Sequence, residues 1–424
     1  MSTTPSSTVT GASEDPSASA PMRVLIADKF QASGVHALEH LGCDVTVEPD
    51  ATATDVAALV RQHDPDVLIV RSTKVSADAI SAATGLSLIV RAGAGFDTID
   101  VDAASARGIF VANCPGKNSV AVAELAWGLI LACDRRIPDQ TIDLRAGRWN
   151  KKDYSKAHGL HGRTLGVVGL GQIGLEIAKR GRAFGMTVVA WSRSLTEKRA
   201  EELGVIACSS LINLAKMSDV VSVNVAATSE TAGLIGAPFL HAMKTGASIV
   251  NTSRGSVIDE PALVAAVRDK GIRAGLDVFA NEPGASADAF SPEIASLPGV
   301  YGTHHVGAST DQAQEAIAAE AVRIVSRYLA CGEVPNCVNR ATTTLATHML
   351  TVRHLNRPGV LAHVFYTLGQ GGINVEEMEN IIYVGEKAAC ARIQLDAPLS
   401  EAHLTAIRAN DNVLSLDVTR MRRR

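Results

Sequence analysis

The chain has 424 residues, 46% of them apolar and 20% charged, with a formal net charge of −4. Its length accommodates two or three domains with full-sized cores, and its charge balance excludes a protein that holds nucleic acid through basic excess. Seven cysteines without a C-x-x-C pair suit a reducing compartment, no metal is implied, and the most apolar stretch, 120–133, contains Glu124 and is too short to span a bilayer.

Residues 1–21 are rich in Ser, Thr, Ala and Pro and lack a basic-then-apolar leader pattern. They read as a disordered tail, and the chain as cytoplasmic. Expected strands at 23–28, 44–47, 66–70 and 88–90 alternate with helical patterns, the signature of a doubly wound parallel sheet. A long helical pattern follows at 119–135. Strands are next expected at 164–168, 186–191, 220–225, 247–251 and 273–278, with a helix at 260–270. An amphipathic helix at 311–329 repeats its Ala/Ile/Val stripe at helical spacing. It can carry the chain back to the first domain. The last part reads as a small βαββαβ module: strands 348–354, 374–384, 388–395 and 413–419, helices 358–369 and 399–408. The expected class is therefore α/β, with two Rossmann-like domains and a small α+β module. A discontinuous substrate domain (22–118 and 304–340) holds an inserted dinucleotide domain (119–303), and a linker at 341–347 leads to the module at 348–424.

The stretch around which the chain is organised is GRTLGVVGLGQIGLEIAKRGRAFGMTVVAWSRS, residues 162–194. Gly169-Leu170-Gly171-Gln172-Ile173-Gly174 sits between an apolar strand and a helix, the context that gives G-x-G-x-x-G its meaning. The first glycine allows the tight turn, the second admits a pyrophosphate, and the third lets helix and strand pack closely. Free N–H groups at the helix start face the phosphates. About twenty residues past the first glycine an Asp or Glu usually receives the ribose 2′-hydroxyl. Here Ser192 and Arg193 stand there. NAD is the expected cofactor, with NADP the alternative because a guanidinium can pair a 2′-phosphate.

Three charged groups near strand ends are not needed for sheet packing: Arg254 in NTSRGSVIDE, Glu282 in LDVFANEP and His305 in YGTHHVGAST. A His beside a carboxylate can take a proton from a hydroxyl near neutral pH. An Arg can grip a carboxylate in a fork and polarise a carbonyl. Beside a nicotinamide ring these are the parts of a 2-hydroxyacid dehydrogenase.

GLGQIG, NTSRGSVIDEPAL, GLDVFANEP and HHVGASTDQAQ, in that order, resemble the D-isomer-specific 2-hydroxyacid dehydrogenases. VRSTKVSADAI, RAGAGFDTIDVDAASARGI and NSVAVAEL are similar to the phosphoglycerate dehydrogenase branch of that family. The resemblance covers about 22–339. It implies Arg254 as the substrate arginine, His305 as acid–base and Glu282 as the carboxylate that orients it. It implies Val225, Thr252, Ser253, Asp277, Gly307 and Ala308 as cofactor neighbours, with Asp277 near the nicotinamide carboxamide. Gly93, Ala94 and Gly95 would meet a substrate carboxylate, and Arg71, Ser72, Arg91 and Arg135 a phosphorylated substrate such as D-3-phosphoglycerate, Arg135 from a neighbouring subunit. HLNRPGVLAHVFYTLGQGGINVEE resembles an ACT domain, which implies L-serine as effector at His354, Asn356 and Asn374, in a homo-oligomer (dimer or tetramer).

Three positions depart from the family pattern. Besides Ser192-Arg193, residues 224–227 replace a run that usually contacts the cofactor, and His304 stands where Pro usually precedes the acid–base His. Rival readings are a glyoxylate, hydroxypyruvate or 2-oxoglutarate reductase, and a dinucleotide-sensing corepressor-like binding protein.

Overall fold

A computed structural model describes residues 20–283 and 290–421; the tail expected at 1–21 lies, but for its last two residues, outside them. The chain divides into two compact units at Asn339/Arg340. Arg340 thus goes with the second unit, one residue before the expected linker.

The first unit holds two parallel sheets. β1 (Arg23–Ile26), β2 (Asp44–Val47), β3 (Val67–Val70), β4 (Leu88–Arg91) and β5 (Phe110–Asn113) form one, in the order β2-β1-β3-β4-β5. Val67–Val70 of β3 and Leu88–Val90 of β4 are fully buried, as the unbroken runs VLIV and LIV dictate for a sheet covered on both faces. The second sheet contains β6 (Thr164–Val168), β7 (Thr187–Trp191), β8 (Ile206–Ala207), β9 (Val220–Val223), β10 (Ser248–Asn251), β11 (Arg273–Leu276) and β12 (Val300–Gly302). Its order is β12-β11-β10-β9-β6-β7-β8. The winding direction reverses between β6 and β9, and between β1 and β3 in the first sheet. Such switch points open a crevice beyond the strands' C-terminal ends. Most of the functional groups discussed below for this unit lie at the last residue of a strand, on the loop or helix start that follows it, or on the segment entering the last helix; Arg135 does not.

Each sheet borrows a long helix. Ala126, Trp127, Ile130 and Cys133 of the helix Ser119–Arg135 pack with Leu165, Val167 and Val250 of the second sheet. Ile317, Ala321, Ile324 and Val325 of the helix Asp311–Cys331 pack with Val24, Ile26 and Val90 of the first. The chain therefore leaves the first sheet after β5 and returns to it near residue 311. The return is stitched down by Val338 N–H donating to Val111 O at 2.8 Å, and by Asn339, which accepts from Val111 N–H and donates to Ile109 O, both at 2.9 Å.

The second unit is a four-stranded antiparallel sheet of β13 (His348–Leu355), β14 (Val375–Ile382), β15 (Ala388–Leu395) and β16 (Val413–Arg420), in the order β14-β15-β13-β16. Leu350, Val352, Ala391 and Ile393 pack with Val364 and Leu368 of the helix Val360–Gln370 and Ile407 of the helix Glu401–Arg408.

Candidate active site

The fingerprint is built from backbone. Gly169 has φ +88°, and a Cβ there would fall 2.7 Å from Asn224 O. A Cβ on Gly174 would sit 2.1 Å from Gly169 O, so only glycine lets the helix Gln172–Ala183 start against the turn. At Gly171 there is open space, and as N-cap it supplies no side chain to the helix's first N–H groups. Those donors are left for an anion. Gln172 folds its amide over Gly116, and Ile173 packs into the core behind the turn. Val225 packs against Gly169. Past β7, Arg193 pairs with Glu230, both strongly exposed. No acidic residue stands at 192 or 193.

The chemical end lies past β10 and β11. Asn251, 1% exposed, accepts from Ser253 N–H at 3.0 Å and Ser253 Oγ at 2.7 Å, and its amide donates to Arg254 O at 2.9 Å. It thereby fixes the loop that carries Arg254. Thr252 Oγ is buried with no partner among the described residues. Together with the open space at Gly171, this orphan hydroxyl marks a site shaped for a nicotinamide dinucleotide.

Asp277, also 1% exposed, accepts from Thr303 Oγ at 2.6 Å and from the N–H groups of Val306 and Gly307 at 2.9 Å. Its own carbonyl accepts from His305 N–H at 2.8 Å. Both its carboxylate oxygens thus shape the loop that presents His305, whose backbone is left-handed at φ +53°. His305 Nδ1 lies 2.6 Å from Glu282 Oε2, and Glu282 Oε1 accepts from Phe279 N–H at 2.8 Å. Burial pushes Glu282 upward, but the His305 bond and the backbone N–H outweigh it and hold the carboxyl below its ordinary value. Of the two adjacent histidines, His305 is the one against the carboxylate. Ala308 O accepts from Gln314, which anchors the loop to the next helix.

The facing wall comes from the first sheet. Asp28, past β1, accepts from the N–H groups of Arg71, Ser72 and Thr73 and from the Ser72 and Thr73 hydroxyls. Those bonds overcome its burial and keep it ionised below the usual carboxylate range. They also shape the loop past β3, from which Arg71 reaches Ser309 Oγ at 3.3 Å. Arg91 folds back over Gly93, whose Cβ would fall 1.4 Å from a guanidinium nitrogen. Burial, then the neighbouring Arg254 charge, lower Arg91 to about 10, and it stays charged at neutral pH. Asn113 donates to Ala94 O at 2.6 Å, while the N–H groups of Ala94 and Gly95 have no acceptor among the described residues. Arg254 lies over Gly95 and is held by Asp97 through Nε (3.1 Å) and Nη2 (3.0 Å).

Two expected groupings do not form in one chain. Arg135 is exposed at the far end of its helix, about 24 Å along the axis from Ser119, and does not join the other arginines. In the second unit His354 is buried, with Nδ1 against Leu355 O and Nε2 against Asn380 Oδ1. Asn356 donates to Glu386 O at that same end of the sheet. Asn374 precedes β14 at the opposite end and donates to Glu376. The register places His348, not His354, level with Val375, so Asn374 lies about 20 Å away along the strand. A single copy cannot close these three around one ligand.

Sequence reasoning passed over Asp28, Asn251 and Asp97. Each is a polar residue at the C-terminal end of a strand of a parallel sheet or on the loop that follows it, and that position is the signal that could have found them.

Residues 127–307 match the family model for the D-isomer specific 2-hydroxyacid dehydrogenase, NAD binding domain. A D-3-phosphoglycerate dehydrogenase of Methanocaldococcus jannaschii is 38% identical over 87% of this chain and 68% of its own length. The chain belongs to the D-isomer-specific 2-hydroxyacid dehydrogenase family. Another of its relatives is a hydroxypyruvate reductase of Thermotoga maritima, 44% identical over 62% of this chain and 85% of that protein. Among solved structures, an NADPH-dependent glyoxylate/hydroxypyruvate reductase from Sinorhizobium meliloti superposes with a TM-score of 0.65 at 32% identity, covering 76% of this chain and 97% of that one. The chain spans 54–68% of the length of the phosphoglycerate dehydrogenases it matches. No helix among the described residues is long and apolar enough to cross a membrane.

Proposed function

We propose that this 2-hydroxyacid dehydrogenase oxidises D-3-phosphoglycerate to 3-phosphohydroxypyruvate with NAD in the cytoplasm, the first step of L-serine formation. The observation that carries this reading is the meeting of the His305–Glu282 pair with three arginines, Arg71, Arg91 and Arg254, on the two walls of one cleft. A substrate with a carboxylate and a phosphate needs more cationic donors than a simple 2-hydroxy acid. The relatives named phosphoglycerate dehydrogenase support the same choice.

The nicotinamide, when bound, supplies the hydride acceptor for C2. The chain's own residues do the rest. Glu282 engages Nδ1 of His305, so the ring proton sits there and Nε2 carries the lone pair. Nε2 takes the C2 hydroxyl proton as the carbonyl forms and returns it in the reverse direction. Arg254 steadies the C2 oxygen and the carboxylate, and the Ala94 and Gly95 N–H groups meet the carboxylate. Arg71, set by Asp28 and followed by Ser72, and Arg91 face the phosphate. Ser192, Arg193, Val225, Thr252, Ser253, Asp277, Gly307 and Ala308 border the cofactor. NAD is favoured over NADP because Glu230 already neutralises Arg193, so a 2′-phosphate would have to displace a carboxylate.

The second unit is read as an ACT-like sensor of L-serine. Since His354 and Asn356 lie about 20 Å from Asn374 within one copy, the effector site would be shared between paired copies, in a dimer or tetramer. Arg135 would likewise serve a neighbouring subunit.

A hydroxypyruvate reductase is the second reading, favoured by the Thermotoga relative. The test is oxidation of D-3-phosphoglycerate with NAD and with NADP, each with and without millimolar serine, beside reduction of hydroxypyruvate, glyoxylate and 2-oxoglutarate. NAD-linked turnover of phosphoglycerate that serine suppresses is the expected result. Turnover only on the unphosphorylated oxoacids would replace it with the second reading, and dinucleotide binding without any turnover would leave a non-catalytic sensor.

A further inference from the structure

Arg254 and Asp97 are 157 positions apart, one past β10 in the second sheet and the other past β4 in the first, yet they form a two-bond fork at 3.0 and 3.1 Å. A fork of this kind fixes the plane of a guanidinium as well as its position. Arg254 Nη1 also donates to Ser253 O at 2.8 Å. Of the five N–H donors a guanidinium carries, three are engaged. The two left are one on each terminal nitrogen, away from the edge that Asp97 holds. Gly95, whose Cβ would come 2.3 Å from Arg254 Nη2, leaves room for this arrangement.

We propose that Asp97 is a positioning residue for the dehydrogenase reaction: it reaches across the cleft and turns Arg254 so that its two free donors face the substrate. The inference rests on the functional reading above, in which Arg254 grips the substrate. Asp97 touches no reacting atom. Its carboxylate lies below the ordinary range because the Arg254 fork outweighs its burial, so the clasp stays charged at neutral pH. Asp97 therefore does not compete with the substrate carboxylate. It occupies one edge of Arg254 and leaves the two remaining donors free.

The alternative role for the same contact is a plug, an internal carboxylate that the substrate must expel. The two differ in sign. The experiment measures binding of oxalate to the enzyme loaded with dinucleotide, by calorimetry, for the wild type, Asp97→Ala, Asp97→Asn and Arg254→Lys, with steady-state kinetics on the same samples. Dinucleotide affinity and the melting temperature report on folding. A positioning role predicts that Asp97→Ala weakens oxalate about tenfold and lowers kcat about tenfold or more. Asp97→Asn, which keeps one acceptor, recovers part of both, and dinucleotide affinity is unchanged. Tighter oxalate binding in Asp97→Ala would make the residue a plug and overturn the proposal. So would unchanged oxalate binding and kcat, provided Arg254→Lys loses both. If Arg254→Lys also leaves both unchanged, the functional reading itself fails, and the proposal with it.

Discussion

The two ends of the cleft are built by opposite means. At the dinucleotide end the recognition surface is backbone: three glycines within six residues, a helix start and almost no side-chain chemistry. At the proposed substrate end it is side chain. Arginines drawn from β3, β4 and β10 are each aimed by something else: Asp28 shapes the Arg71 loop, Gly93 makes room for Arg91, and Asp97 forks Arg254. The backbone site tolerates no added atom at Gly169 or Gly174, whereas a side-chain site tolerates atoms but not the loss of a partner.

The sharpest break of this comparison is at the proposed acid–base pair, His305 and Glu282. Replacing His305 with Gln removes the base while keeping the bulk, and kcat is expected to fall about 10²–10⁴-fold, the range of general acid–base catalysis. Dinucleotide binding, read from nicotinamide fluorescence, is expected to stay within about twofold, because the fingerprint does not depend on the His305 side chain. The converse break is Gly174→Ala. Its Cβ would fall 2.1 Å from Gly169 O, so the turn must open, and dinucleotide affinity is expected to drop about 10–100-fold, alongside a loss of about 1–3 kcal/mol in stability from local overpacking. Denaturant melts with and without NAD check both.

Asp28→Ala comes next. It leaves two hydroxyls and four N–H groups, that of Lys29 included, without this acceptor. A loss of about 1–3 kcal/mol is expected from unpaired donors at a half-buried site, with KM for phosphoglycerate raised about tenfold and KM for NAD unchanged. The pH dependence has a definite sign. The folded-state pKa of Asp28 lies below its unfolded value. Its contribution is thus full above the unfolded value, near 4, and is lost as the pH falls through the folded one. The melting temperature of Asp28→Asn should therefore converge on that of the wild type as the medium becomes strongly acidic. A constant gap would show that the carboxylate charge is not what holds the loop. The smallest effect is expected at Glu230→Gln. The Arg193–Glu230 pair is exposed, and such pairs are worth under about 1 kcal/mol. NADP affinity should rise a few-fold and NAD affinity hardly at all, measured by fluorescence titration. If both rise equally, Arg193 does not face the 2′ position.

The same contrast explains what could be read from residues alone. The fingerprint was legible because its parts are contiguous: Gly169, Gly171 and Gly174 lie between two apolar runs, and local sterics give each a distinct task. The strands VLIV and TLGVV were legible for the same reason. The short β5, with one exposed Phe and the polar Asn113 among four residues, offers no periodicity and was not expected as a strand. The helix Ile137–Arg145 buries no residue, so it shows no apolar stripe. His305, Glu282 and Arg254 could be singled out as charges at strand ends, but the partners that aim them could not. Asp97 meets Arg254 only after two sheets have closed on one another, and Asp28 acts through the backbone of a loop 43 or more residues further on. Likewise nothing in the spacing of His354, Asn356 and Asn374 reveals that an eight-residue strand separates the first from the last.

The helix Asp311–Cys331 has a consequence for how the chain acquires its shape as it leaves the ribosome. The second sheet and its borrowed helix are contiguous, from Ser119 to Gly302, and hold every strand they need. The first sheet is finished with its last strand at Asn113, yet the face formed by Val24, Ile26, Val67 and Val90 is covered only in part, by Val35 and Leu38 of the helix Ala32–His40, until Ile317 to Val325 arrive. At about 5–20 residues per second of synthesis, the delay of roughly 200 residues amounts to about 10–40 s. During that time the earlier-made lobe waits with a half-covered apolar face while the later-made one can complete itself. The order of maturation is thus the reverse of the order of synthesis, and the nascent chain has its greatest need of a chaperone in the interval between residues 113 and 317.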